Sequence, residues 1–135
     1  MTAIPRRLRE DRGAATTQLV LVVPVLLLLA MLVVQFALVW HARHIAQHAA
    51  ARALAAARIK DGTAAEGRAQ ARRSLTALGS RILTVPSVAV DRTTTQTTAR
   101  VRGRVMAVVP GLHLHASGTA AGPTERLTTP GGGRP

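Results

Sequence analysis

Leu19 to Trp40 is an apolar run of 22 residues without a charged side chain. At ~1.5 Å of rise per residue, about 20 such residues cross the ~30 Å hydrocarbon core of a bilayer. Past the run the pattern changes. Residues 41–60 lack Pro and Gly and are rich in Ala, Arg and Gln, so the helix is expected to continue. Asp61-Gly62 is a stop signal. Thr63 and Glu66 have capping-box spacing, and the helix they open should run to about Leu78, with Ala71, Leu75, Leu78 and Ile82 along one face.

After Gly79 the period drops to two. Thr84–Asp91 is β-prone, with Pro86 pointing to an edge strand or an irregular start. Thr97, Ala99, Val101, Gly103, Val105, Ala107 and Val109 then alternate with Thr98, Arg100, Arg102 and Arg104, the signature of a half-buried strand with a basic outer face. Gly103 is a candidate bulge or bend. Pro110-Gly111 makes a turn, and Leu112, Leu114, Ala116, Gly118 and Ala120 form the inner face of a partner strand. The fold class is therefore α+β: one transmembrane helix extended into an Ala-rich helix, a second helix, and a small antiparallel sheet. Four segments follow: a basic head at 1–18, the membrane helix at 19–40, an extracytoplasmic body at 41–129, and a Pro/Gly tail at 130–135 expected to be disordered.

Composition sharpens this picture. The chain has no cysteine, which removes disulfides and thiolate chemistry. Phe36 and Trp40 are the only aromatics, and both lie in the apolar run. A body packed with Ala, Val, Leu and Ile has a thin core, which argues for a subunit of an assembly. The net charge is +12, carried by Arg with a single Lys, Lys60. The arginines are spread along the chain without aromatic platforms between them, so nucleic acid is not the expected partner. Arg100, Arg102 and Arg104 are the candidate contacts for a polyanion.

The apolar run admits three readings. A secretory signal has a shorter apolar stretch, and the candidate cleavage context at His48–Ala51 lies well past its end. A core helix needs a large soluble domain around it. A membrane anchor fits best, with lipid as its surroundings. Arg6, Arg7, Arg9 and Arg12 precede the run, while Arg43, Arg52, Arg58 and Lys60 follow it, so charge bias is nearly balanced. The short, dense head places the N-terminus in the cytoplasm and the body outside. Trp40 suits an interfacial anchor, Pro24 should kink the helix, and Gln35 is an intramembrane amide expected to face another helix.

Arg12-Gly13-Ala14-Ala15, then Gln18, the apolar run with Pro24 and the Ala/Arg-rich helix together resemble the TadE/TadG-like proteins of tight-adherence (Flp-type) pilus systems. Val101–Pro110 and Leu112–Ala121 look like that family's terminal strand pair. The resemblance implies a pseudopilin-like membrane protein. Its partners would be a prepilin peptidase, other pilin-like subunits and the pilus assembly platform. It also implies cleavage after Gly13, leaving Ala14 as the new terminus. The fifth mature residue is then Gln18, where the family carries Glu. An amide there hydrogen-bonds but cannot neutralise a neighbouring terminal amine. Alanines four apart, at 42, 46 and 50 and at 49, 53 and 57, would let neighbouring helices approach closely.

Catalysis lacks parts. Six acids are scattered without a paired arrangement, the serines have no nucleophile-elbow context, and no phosphate-binding loop is present. No cofactor and no metal site is expected. His41, His44 and His48 share a helix face, and His113 and His115 a strand face, but no carboxylate or thiolate accompanies them. Two rivals to the structural reading remain: a membrane-tethered module that captures DNA or an acidic envelope polymer, and a secreted protein with a long signal.

Overall fold

The computed structural model describes residues 7–126, with side chains from residue 16 onward. The head's first six residues and the tail at 130–135 lie outside the described residues. α1 (Arg7–Arg58) is one continuous helix of 52 residues that runs through Pro24 without a break. It ends where Asp61 adopts a positive φ of 62° and Gly62 donates to the Ile59 carbonyl at 3.0 Å. α2 (Ala64–Leu78) opens on the expected capping box: the Glu66 amide donates to Thr63 Oγ1 at 3.1 Å, and the Thr63 amide to Glu66 Oε2 at 2.8 Å. Its buried face is Gly67, Ala71 and Leu75. Leu78, expected on that face, is 54% exposed, and the buried line continues instead from Leu75 to Gly79, which lies against Ile45 of α1.

β1 (Leu83–Arg92), β2 (Gln96–Val105) and β3 (His115–Pro123) form an antiparallel meander in the order β1-β2-β3. The alternation in β2 is realised: Thr97, Ala99, Val101, Gly103 and Val105 are buried, and Arg100, Arg102 and Arg104 are exposed. The strand ends at Val105, so Ala107 and Val109 belong to the connection rather than to its inner face. Thr84 pairs with Arg104 and Ser87 with Arg102, which leaves Val85 and Pro86 opposite Gly103 alone. The bulge is therefore at the Gly103 register, but the extra residue belongs to β1. Pro86 cannot donate to the ladder, and Val85 is held at φ 47°, a strained backbone for a β-branched residue. Gly103 leaves room for Leu83, whose Cγ would lie 2.6 Å from a Cβ at that position.

Both helices cover one face of the sheet, α1 over β2 and β3 and α2 mainly over β1. The core is built from small residues. Ala42, Ala46, Ala49, Ala50, Ala53 and Ala57 of α1 are fully buried, packed with Ile45, Leu75, Leu83, Val90, Val101 and Val105. Both alanine rows are consumed inside the chain's own body and are not available to neighbouring helices. Close approach requires glycine on the opposing elements. A Cβ at Gly67 would sit 2.9 Å from the Ala53 carbonyl oxygen, and one at Gly118 would run into the backbone of Ala46 and Gln47.

Candidate functional site

Two halves of α1 have opposite surroundings. From Thr16 to Val34 the side chains are exposed, apart from half-buried Met31. Leu19, Val20, Leu21, Leu26, Leu27, Leu28 and Leu29 are each more than half exposed. Such a stripe of large aliphatic side chains all around a helix is stable only in an apolar medium. This helix is long and apolar enough to cross a membrane. Pro24 lies within this bare half, and Gln18 is exposed near its start. Gly13 and Ala14 belong to α1 as backbone.

The bare half ends at Gln35, which is 1% exposed. Its Nε2 donates to the Met106 carbonyl at 3.2 Å, and its Oε1 accepts from the Val108 amide at 2.7 Å and the Val109 amide at 3.4 Å. The partner of this amide is thus the chain's own β2–β3 connection, not a second helix. An amide suits the position because it both donates and accepts. Three turns further on, Gln47 repeats the device on β3: Nε2 donates to the Thr119 carbonyl at 2.9 Å, and Oε1 accepts from the Thr119 amide at 3.1 Å. At the far end the Glu125 amide donates to the Arg58 carbonyl at 2.9 Å, and the two side chains form an exposed ion pair at 3.6 Å. Helix and sheet are therefore tied at three levels. Gln47 and the backbone tie at Arg58 carry no sequence signal, since each pairs with a partner more than 60 residues away.

Trp40 is 67% exposed and meets His44 edge-on, with ring centroids 5.3 Å apart. His41, His44 and His48 are all exposed. Among the described residues no group of three or more His, Cys, Asp or Glu is placed to hold a metal ion. On the sheet's outer face Arg100, Arg102 and Arg104 form a row. Their cross-strand neighbours are Ala89, Ser87 and Thr84 on one side and Thr119, Ser117 and His115 on the other, so no acid neutralises them across the ladder.

Residues 13–55 match the model of the TadE-like protein family. The matched TadE-like segment begins at Gly13 and covers the whole bare half of α1 and most of its packed half. No curated protein and no solved structure matches the chain. The TadE-like match agrees with the resemblance carried by residues 12–40. Together with the one long apolar helix among the described residues, it fits a single-pass membrane protein.

Proposed function

We propose that this chain is a pseudopilin-like structural protein that helps assemble or anchor a tight-adherence type pilus or a related secretion apparatus. It sits in the cytoplasmic membrane with its N-terminus in the cytoplasm and its body outside. The observation that carries the reading is the TadE-like match laid across both halves of one unbroken helix. The bare half holds the protein in lipid, and the packed half presents the body to other pilin-like subunits and the assembly platform. A secreted form cut near residues 48–51 would lose Ala42, Ile45 and Ala46 from its core, which speaks against a signal peptide. Prepilin peptidase would cut between Gly13 and Ala14, with Gln18 as the fifth mature residue.

The test is N-terminal sequencing of the membrane-bound protein, together with deletion of its gene in the host. A mature start at Ala14 and loss of surface fibres or secretion, restored by the intact chain, support the proposal. A start at Met1 or Thr2 removes the processing step and leaves the anchor. Unchanged fibre assembly and secretion in the deletion strain reject the assembly role.

The arginine row favours one rival, a tethered module that captures an acidic polymer. In the assembly reading, replacing Arg100, Arg102 and Arg104 with Gln leaves fibre assembly intact. In the rival reading it abolishes polyanion binding, including the fall in affinity with salt that counterion release produces.

A further inference from the structure

We propose that the β2–β3 connection, residues 106–112, is a second membrane-contacting element, seated in the outer leaflet beside α1. The inference rests on the single-pass reading above and adds a lipid-facing part of the body to it. The segment reads Met106-Ala107-Val108-Val109-Pro110-Gly111-Leu112, seven residues with neither a charge nor a polar side chain. Met106 is 45% exposed, and Val108, Val109 and Leu112 are half-buried, so the segment presents an apolar surface.

Its depth follows from the helix that holds it. Gln35 binds Met106, Val108 and Val109 directly, so the segment lies level with residue 35 of α1. The fully apolar stretch Leu19–Val34 spans only about 24 Å at ~1.5 Å per residue, short of the ~30 Å hydrocarbon core. The helix completes the crossing near Leu38, past Gln35. The connection is therefore at the inner edge of the outer interface rather than in open water.

Irregular backbone survives at such a depth only when its polar groups are satisfied by protein. The part of this backbone turned toward α1 is so equipped, and the rest stays at interface level. Gln35 serves the Met106 carbonyl and the amides of Val108 and Val109, while the Met106 amide donates to the Ile82 carbonyl at 3.0 Å. The Leu112 amide donates to the Val109 carbonyl at 3.2 Å, and Pro110 has no amide to satisfy. Gly111, at φ 81°, turns the chain back with nothing within 4 Å of where its Cβ would be. Polar groups flank the segment: Arg104 lies two residues before it, beyond buried Val105, His113 follows it, and exposed Arg81 adjoins Ile82. These groups stand at headgroup level, where basic side chains meet lipid phosphate. Buried Gln35 is thus the clamp that lets an apolar turn enter lipid, and the turn fixes how far the body stands from the bilayer.

The absence of cysteine makes the test direct. Single variants Met106→Cys, Leu28→Cys and Thr94→Cys of the full chain are labelled with an environment-sensitive fluorophore and reconstituted into phosphatidylcholine vesicles. Acyl-chain-brominated phosphatidylcholine should quench the probes at 28 and 106 about twofold, since interfacial elements bury ~5–10 Å into the headgroup and acyl boundary. Aqueous iodide should quench the probe at 94 and spare the other two. A probe at 106 that behaves like the one at 94 overturns the proposal and leaves the membrane span standing. One at 106 shielded from both quenchers also overturns it, by placing protein rather than lipid on this face. A probe at 28 untouched by brominated lipid removes the single-pass reading and this inference with it.

Discussion

Individual side chains in this protein act chiefly by fixing distances between elements. Gln35 is the plainest case. Gln35→Leu keeps the volume roughly constant but strips two backbone amides and one carbonyl of their partner. Leaving buried polar groups unmatched costs about 1–3 kcal/mol, so hydrogen exchange at Val108 and Val109 should accelerate by one to two orders of magnitude in roughly the same range. Gly118 is the opposite case, a residue whose value is the absence of a side chain. Gly118→Ala pushes a methyl into the backbone of Ala46 and Gln47. Overpacking of this kind costs about 1–3 kcal/mol, and a thermal melt of the detergent-solubilised protein should show the loss. Of the residues singled out from sequence, Gln35 was conspicuous as a polar position in an apolar run. Its partner was not visible, because it lies more than 70 residues away and in a segment with no polar side chain.

Elements were more legible than contacts. The capping box, the stop at Asp61-Gly62 and the period-two alternation of β2 are local, and each appears where the pattern placed it, save that the strand ends at Val105 rather than at Val109. Thr63→Ala should cost about 1 kcal/mol, the usual worth of an N-cap, and lower the melting temperature by about 4–8 °C. In the bare half of α1, Leu27→Arg introduces a charge with no protein partner to receive it. Insertion scales put that near +2.5–3.5 kcal/mol at a helix centre, so the variant's membrane-bound fraction should fall when membranes are pelleted and washed with carbonate. The bulge was harder to read. Pro86 and Gly103 both signalled irregularity, and only the pairing register showed that they are two sides of one feature.

For the whole molecule, the arrangement is a lever of one helix with a small sheet bound to its second half. The alanine rows illustrate how the same residues suit two architectures. Small side chains four apart permit close packing against any partner, and here α2 and the sheet occupy that place. In the proposed assembly, contacts between subunits would therefore use other surfaces: the bare half of α1, the exposed helix faces or the arginine-bearing outer face of the sheet. If the body folds as one unit on α1, proteolysis of the reconstituted protein should leave a protected fragment that includes both Gln35 and the 106–112 turn. Cleavage that separates the sheet from α1 while both remain folded would contradict the three-level tie at Gln35, Gln47 and Arg58.

The sequence by itself determined what depends on near neighbours: a bilayer-length apolar helix, its Ala-rich continuation, a capped second helix, alternating strands and the α+β class. These follow from periodicity, capping and hydrophobicity, which act over a few residues. Only the tertiary structure decided what depends on distant ones: that the alanine rows face inward, that Gln35 serves the chain's own turn, and that the body's packing reaches back into the apolar run. Those outcomes are set by which surfaces meet after folding. Small apolar residues and a lone amide fit many partners equally well until a particular one is brought within reach.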